Sequence, residues 1–244
     1  MVHIVGHRGG RNLWPENSLT GFRELAKMPV DGVEFDVHLT GDGELVVIHD
    51  PTLDRTTDRT GPVAALKAGE HRQVRLKGSD DQPIPLLEEV LDIFVPTAME
   101  LHVELKADHN GTPYPGLEAR VAEMLEAKGL SGRAIMTSFH AEVLAAIRHE
   151  APHMRTLSSF DAKSAERMGG VKAGLETMLA LSDVIAIEKS VLGPHWSEIS
   201  AMIPKERLGV WVPNEEQDLS YWLGMPIRQL TTDRPDRAVS LRGA

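Results

Sequence analysis

Charged and imidazole side chains stand at the ends of the short apolar runs in this sequence. They are His7, Arg8, Glu34, Asp36, His49, Glu104 and Lys106. Carboxylates suit a hard divalent cation, imidazoles suit proton transfer near neutral pH, and a planar guanidinium suits a phosphate group. These residue types together indicate a metal-assisted acid–base site that holds a phosphate.

Alternation along two predicted strands places three carboxylates on one side. Glu34 and Asp36 share the face opposite the apolar residues of their strand, and Glu104 shares such a face with Lys106. Three carboxylates facing one space repel one another at low dielectric, and a divalent cation relieves that repulsion. Ligation by oxygen alone predicts Mg2+ or Ca2+ rather than Zn2+. The alternative is a salt-bridged network of the same carboxylates with Lys106 and Arg8.

His7 and His49 end two neighbouring strand runs, so one imidazole can act as base and the other as acid. Arg8, beside His7, can hold a phosphate with its planar fork. A lone histidine is usually a buried or capping residue. Here the joint placement of two imidazoles, an arginine and three carboxylates favours a catalytic role. Among the remaining histidines, His140 and His195 are the candidates for the rim of the site.

Trp211 stands at the end of a late predicted strand, close to Asn214. Its ring either lines a substrate pocket or packs on neighbouring elements.

The elements that position these residues alternate between short apolar runs and helical patterns along the whole chain. Counting one hairpin extension as a single unit gives eight strand–helix units in 244 residues, which predicts a (β/α)8 barrel. Catalytic groups of such barrels lie at the carboxyl ends of the strands. The runner-up is a doubly wound open sheet, but its glycine fingerprint is missing from the sequence. We expect a single catalytic barrel over 1–244, with the polar segment 51–83 as a small insertion after the second barrel strand.

The composition of the chain argues against several classes of function. Lys plus Arg number 26 and Asp plus Glu number 36, which gives a net charge of −10 and, with no basic run, argues against a nucleic-acid partner. No apolar run reaches the roughly 20 residues that span a bilayer, so no stable membrane insertion is expected. Cysteine is absent, which excludes disulfides, thiolate metal sites and a cysteine nucleophile. The chain starts directly with a strand pattern and shows no export signal, so we expect a cytoplasmic protein.

Several segments resemble the glycerophosphodiester phosphodiesterase family. They are Gly6–Gly9, Pro15–Ser18, Gly32–Val37, Val47–Thr57, Ile84–Val90 and Glu104–Lys106. The run from His49 to Gly61 is the most specific of them. The similarity is dense over the first 106 residues and thins afterwards to Thr137–Phe139, Trp211–Asn214 and Thr231–Pro235. Ser18 stands where threonine is commoner in the family, and it keeps a hydroxyl for capping a helix.

The resemblance implies a (β/α)8 barrel that uses a divalent metal, Mg2+ or Ca2+, to cleave a phosphodiester. It assigns the acid–base pair to His7 and His49, the metal ligands to Glu34, Asp36 and Glu104, and the phosphate contacts to Arg8 and Lys106. The substrate would be a small glycerophosphodiester of lipid and glycerol metabolism, and the products would be glycerol 3-phosphate and an alcohol. Pro213, in the segment after Trp211, departs from the family pattern, so the pocket for the alcohol is expected to differ.

The mechanism that the resemblance implies uses the hydroxyl beside the phosphate of a glycerophosphodiester. One histidine removes its proton, the other protonates the departing alcohol, and water opens the resulting cyclic phosphate. One alternative is cleavage of lysophospholipids on the same scaffold, which would need an apolar groove at the barrel mouth. Another is a non-catalytic protein that binds phosphodiesters, which is expected to lack one of the catalytic residues.

Overall fold

Eight parallel strands of the computed structural model, which describes residues 1–243, close into a ring. In chain order the nine strands are β1 His3–His7, β2 Gly32–Leu39, β3 Leu45–Val47, β4 Glu100–Leu105, β5 Ala134–Ser138, β6 Arg155–Phe160, β7 Val184–Glu188, β8 Leu208–Trp211 and β9 Gln229–Thr232. The ring runs β1-β2-β4-β5-β6-β7-β8-β9 and returns to β1. The predicted (β/α)8 barrel is therefore confirmed.

Strand β3 lies outside the ring. It pairs with β2 in antiparallel fashion, with Val37 opposite Val47. The turn between them uses Gly43 at φ +88°, a conformation that glycine adopts without strain. This pair is the predicted hairpin extension, and it carries the chain from β2 outward to His49.

Helices separate the barrel strands. They are α1 Leu19–Leu25, α2 Leu87–Phe94, α3 Leu117–Ala127, α4 Ala141–Glu150, α5 Ala162–Arg167, α6 Val171–Leu181, α7 Lys189–Leu192, α8 Trp196–Met202, α9 Glu216–Leu223 and α10 Pro235–Arg242. The sequence did not predict α5 and α7, because they are too short to show a helical apolar period. The Ser18 hydroxyl caps α1 by accepting a hydrogen bond from the Gly21 N–H. Within residues 1–243, no helix combines the length and the apolarity needed to cross a membrane.

The larger hydrophobic core lies between the barrel and its helices. Phe22 of α1 meets Phe35 of β2 and Phe94 of α2 edge to face, at centroid distances of 5.8 and 5.9 Å. Inside the barrel the apolar cluster is small and contains Ile135, Leu157, Val184 and Ala186. Polar side chains, among them His102, Thr137 and Gln229, line the cavity beside this cluster.

The predicted insertion, 51–83, forms two short 3-10 turns at Val63–Ala65 and Glu70–Gln73. Its apolar side chains share a cluster with residues that flank it in sequence. The members are Val46, Ile48, Leu53, Val63, Leu66, Val74, Leu76 and Ile84. Burial of this cluster holds the segment against the barrel mouth beside His49.

Candidate active site

Strand register brings the three predicted carboxylates together at the mouth of the barrel. Asp36 of β2 lies beside Glu104 of β4, and Glu34 of β2 lies beside His7 of β1. One carboxylate oxygen from each of the three acids lies within 4.8 Å of the others, and all three residues are buried. The alternation that the sequence predicted therefore produces a compact acidic cluster.

Two cations partly balance this cluster. Lys106 Nζ lies 2.9 Å from Asp36 Oδ1 and also contacts Glu104. Arg8 Nε lies 3.4 Å from Asp36 Oδ2. Burial would raise the pKa of Asp36, but Lys106 and other neighbours outweigh it and hold that pKa well below its ordinary value. The salt-bridged network considered as an alternative is thus present.

Glu34 is the carboxylate that this network leaves without a close cationic side chain. Its Oε2 accepts a hydrogen bond from the Arg8 N–H at 3.1 Å, while its buried Oε1 has no hydrogen-bond partner among residues 1–243. Burial, and then the charges of Asp36 and Glu104, raise the pKa of Glu34 well above its ordinary value. When all three carboxylates are ionised, their negative charges exceed the two positive charges of Lys106 and Arg8 by one. A hard divalent cation fits this oxygen donor set.

A buried carboxylate orients His7. Its Nδ1 lies 2.5 Å from Asp233 Oδ1, and Asp233 also accepts a hydrogen bond from Asn214 Nδ2 at 2.8 Å. Burial opposes ionisation of Asp233, but the hydrogen bond from His7 and other contacts lower its pKa to about 2. An ionised Asp233 can only accept, so the proton stands on His7 Nδ1 and leaves Nε2 unprotonated in the neutral imidazole. Burial also lowers the pKa of His7, which favours that neutral form.

His49 has an equivalent arrangement on the other side of the acidic cluster. Its Nδ1 lies 2.6 Å from Asp50 Oδ1. Its backbone carbonyl accepts a hydrogen bond from the buried His38 at 3.1 Å, and His38 in turn lies 2.9 Å from the Tyr114 hydroxyl. Each of the two predicted acid–base histidines therefore has a carboxylate on Nδ1 and presents Nε2 for chemistry.

The turn after β1 places Arg8. Arg8, Gly9 and Gly10 have φ values of +50°, +77° and +87°, in the left-handed region that most side chains avoid. The glycines adopt it freely, but Arg8 is held there by its surroundings. In this conformation the Arg8 N–H reaches Glu34, and its guanidinium lies between Asp36 and Glu16.

A cavity of about 230 Å3 extends from the mouth into the barrel. It is lined by His7, Arg8, Glu34, His49, His102, Glu104, Thr137, Phe139, Leu157, Ser159, Asp161, Ala186, Trp211, Gln229 and Thr231. Trp211 donates from Nε1 to the Ala186 carbonyl at 3.0 Å, and its ring meets Phe139 at 5.5 Å and nearly a right angle. Of the two roles considered for Trp211, the structure places it in the pocket wall.

The structure brings all eight predicted site residues to one end of the barrel. Six of them line the cavity described above, and Lys106 lines an adjoining pocket together with His140. Asp36 is buried and lines neither space. His195 is not among the lining residues of either space. It instead approaches the Val191 carbonyl at 3.0 Å.

Sequence reasoning missed the residues that hold the predicted ones in place. They are Glu16, Asn17, Asp50, Arg55, Asn214 and Asp233. Asp50, Asn214 and Asp233 do end strand runs, so their positions were visible, but only the fold shows which histidine or carboxylate each one contacts. His102 also lines the cavity, although it is not among the histidines that the sequence analysis placed at the site.

The sequence pattern of the glycerophosphoryl diester phosphodiesterase family matches residues 7–237. A glycerophosphodiester phosphodiesterase of Bacillus altitudinis is 31% identical over 260 aligned residues, which cover 99% of this chain and 98% of the relative.

Two solved structures agree in fold. One is a glycerophosphodiester phosphodiesterase of Agrobacterium tumefaciens. It is 25% identical, with a TM-score of 0.77 and coverage of 98% of this chain and all of the other. The second is a phosphodiesterase of Oleispira antarctica in complex with the product sn-glycerol 3-phosphate. It is 25% identical, with a TM-score of 0.83 and coverage of 99% and 97%.

Proposed function

The chain belongs to the glycerophosphoryl diester phosphodiesterase family, and on that basis we propose that it hydrolyses glycerophosphodiesters to glycerol 3-phosphate and an alcohol, using a divalent cation. His7 and His49 are the proposed acid–base pair. Glu34, Asp36 and Glu104 are the proposed metal ligands, and Arg8 and Lys106 the proposed phosphate contacts.

One observation carries this proposal. The two histidines, each with Nδ1 on a carboxylate, line the same cavity as Glu34 and Glu104. A phosphodiester in this cavity would have one imidazole beside the attacking hydroxyl and the other beside the leaving oxygen. Positioned proton donors and acceptors of this kind contribute about 10²–10⁴-fold to a rate.

The proton route follows from the two tautomers. One imidazole takes the proton of the glycerol hydroxyl at Nε2, while its Nδ1–H stays on the carboxylate and stabilises the imidazolium that forms. The other histidine enters the reaction as the imidazolium, with a second proton on Nε2, and gives that proton to the oxygen of the departing alcohol. The hydroxyl oxygen bonds to phosphorus as the ester bond breaks. In the second step the histidine that is now neutral takes a proton from the attacking water, and the other returns its proton to the glycerol oxygen as the P–O bond of the cyclic phosphate breaks. After both steps the histidines have regained their starting protonation.

The acidic cluster is the proposed metal site. A bound divalent cation supplies positive charge that favours ionisation of the glycerol hydroxyl and stabilises the charge developing on phosphate. Without it, the surplus negative charge of the cluster would oppose the approach of an anionic phosphodiester. Arg8 and Lys106 add positive charge, and the fork of Arg8 matches two phosphate oxygens.

The dimensions of the cavity favour a small leaving alcohol. The cavity volume of about 230 Å3 lies below the usual range for drug-sized ligands, which favours a glycerophosphodiester with a short head group. The exposed large hydrophobic residues among 1–243 are Met1, Val95 and Tyr221, none of which lines the cavity. A lysophospholipid would need an apolar surface at the mouth for its whole acyl chain, so we propose the small glycerophosphodiester as the substrate.

The deciding experiment is turnover of glycerophosphocholine, followed by enzymatic detection of glycerol 3-phosphate. We expect turnover with added Mg2+ or Ca2+, loss of turnover with a chelator, and recovery on re-addition of metal. Absence of turnover with either ion would contradict the proposal, and unchanged turnover in excess chelator would contradict its metal dependence. The cytoplasmic location also remains a prediction, which cell fractionation would test.

A further inference from the structure

Arg55 lies in the family-like run after His49, yet the proposed mechanism gives it no role. We propose that Arg55 is a positioning residue, through which the segment 51–83 holds His49 and Arg8 in their working orientations. This inference rests on the proposed function for the roles of His49 and Arg8. Its evidence is a continuous chain of ion pairs from one residue to the other.

The guanidinium of Arg55 bridges two carboxylates. Its Nε and Nη2 lie 2.6 and 2.9 Å from the two oxygens of Asp50. Its Nη1 and Nη2 lie 2.8 and 2.7 Å from the two oxygens of Glu16. Both contacts are therefore bidentate, and they lie on two edges of one rigid plane.

Each of these two carboxylates also contacts a residue of the proposed active site and so orients it. Asp50 Oδ1 lies 2.6 Å from His49 Nδ1, and Glu16 Oε1 lies 3.2 Å from Arg8 Nη1. The chain His49–Asp50–Arg55–Glu16–Arg8 thus joins the two sides of the mouth. Asp50 and Glu16 come from separate turns, so a bridging cation is needed to fix one relative to the other.

The segment around Arg55 is itself anchored. Leu53 is buried in the apolar cluster of 51–83, and the Thr57 hydroxyl donates to the Leu53 carbonyl at 2.7 Å. Lys77, from the far end of the segment, donates from Nζ to the carbonyls of Asp54 and Arg55 at 2.7 and 3.2 Å. The Arg55 backbone therefore sits on a braced turn even though its side chain is half-exposed.

Removal of Arg55 should affect His49 and Arg8, the two ends of this chain of ion pairs, in different ways. Without the guanidinium, Asp50 can turn to solvent and release His49, which should lower kcat. Glu16 would then keep Arg8 as its cationic partner and draw it from phosphate, which should raise KM. A lysine offers a single point charge and cannot present two edges to two carboxylates, so it should restore the function only in part.

The test compares Arg55→Ala and Arg55→Lys with Arg59→Ala, assayed on glycerophosphocholine with saturating metal. Arg59 is exposed, lies in the same segment and forms no ion pair with any of residues 1–243. Its replacement by alanine removes the same charge as Arg55→Ala without breaking an ion pair. We expect Arg55→Ala to lose about 10²-fold in kcat/KM, the scale of a small misplacement of catalytic groups. Arg55→Lys should fall between it and the wild type, and Arg59→Ala should match the wild type.

Two further measurements test whether Arg55 acts by positioning His49 rather than by stabilising the fold. They also distinguish failure of this inference from failure of the proposed function. On an Asp50→Ala background, Arg55→Ala should lower kcat little further, because it acts through Asp50. Nitrogen-15 NMR of histidine-labelled protein should show His49 with its proton on Nδ1 in the wild type and in Arg59→Ala, and a changed tautomer pattern in Arg55→Ala. If the wild type fails to turn over, this spectrum still decides the inference. An unchanged His49 spectrum, or equal activity of Arg55→Ala and Arg59→Ala in an active enzyme, would overturn it.

Discussion

His7 Nδ1 lies 2.5 Å from Asp233 Oδ1, although 226 residues separate the two in the chain. His7 ends β1 and Asp233 follows β9, and these two strands pair where the barrel closes. The tautomer of His7 is therefore set only when the first and last strands of the ring have come together. This one hydrogen bond therefore links the proposed acid–base role of His7 to closure of the barrel.

The first prediction tests that link. Asp233→Asn replaces an obligate acceptor by a group that can donate to Nδ1, which would move the proton of the neutral His7 to Nε2. We expect kcat to fall by about 10²–10⁴-fold, the usual contribution of a positioned acid or base, with little change in KM. Steady-state kinetics on glycerophosphocholine provide the measurement. Asp236→Asn, which alters a surface pair with Arg234, is the matched control and should keep wild-type kinetics.

The second prediction concerns the acid–base pair directly. His7→Ala and His49→Ala should each lower kcat by about 10²–10⁴-fold while the affinity for substrate changes less. His149→Ala, at an exposed position of α4, serves as the control for loss of an imidazole. Near-normal turnover in either site variant would remove that histidine from the mechanism.

The third prediction uses the charge left over in the acidic cluster. Burial and the neighbouring carboxylates raise the pKa of Glu34 in the folded protein above its unfolded value of about 4.3. Stability from this group is therefore fully present below that unfolded value and is lost as the pH rises through the raised folded value. In metal-free protein, Glu34→Gln should increase the free energy of unfolding at pH 7 by about 1–4 kcal/mol, and the gain should vanish near pH 4.

Urea unfolding with chelator, at pH 4 and pH 7, measures this difference. The same variant should bind Mg2+ or Ca2+ more weakly by calorimetry and should lose activity. A variant that is less stable than wild type at pH 7 without metal would show that Glu34 is not the strained member of the cluster.

Much of this site could be predicted because strand alternation is a local property. The faces of Glu34, Asp36 and Glu104 follow from a period of two residues, and the register of β2 and β4 then brings them together. The contact of His7 with Asp233 depends instead on ring closure. The contact of Arg55 with Glu16 depends on how 51–83 folds against the barrel. Neither contact follows from a periodic pattern in the sequence, so the structure was needed to identify the carboxylate partners of the proposed catalytic residues.

The fourth prediction concerns the opposite end of the barrel. Glu100 begins β4 and accepts hydrogen bonds from Arg228 at 2.7 Å and from Arg155 at 2.9 Å, and it also contacts His102. Burial would raise its pKa, but these contacts outweigh burial and lower it. Its stabilising effect is therefore present above the unfolded pKa of about 4.3 and is lost as the pH falls below that value.

Glu100→Gln should accordingly lower the free energy of unfolding at pH 7 by about 2–3 kcal/mol, as expected for hydrogen bonds to a charged group, while kcat stays near wild type. Urea unfolding and steady-state kinetics on one preparation would show both effects. Glu206→Gln, on the surface, is the control and should change neither. A large loss of kcat without loss of stability would place Glu100 in the catalytic machinery instead.

The last prediction concerns the choice of substrate. The proposed reaction needs a hydroxyl on the carbon next to the phosphate ester, and glycerophosphocholine and glycerophosphoethanolamine both carry it. These two differ only in the leaving alcohol, and differences of a few methyl groups in an open pocket are worth about 1–3 kcal/mol. We expect turnover of both, and slow turnover of bis(p-nitrophenyl) phosphate, which lacks the hydroxyl despite its better leaving group. Initial rates on the three compounds at one metal concentration test this prediction. A comparable rate on bis(p-nitrophenyl) phosphate would exclude the cyclic phosphate and indicate direct attack by water.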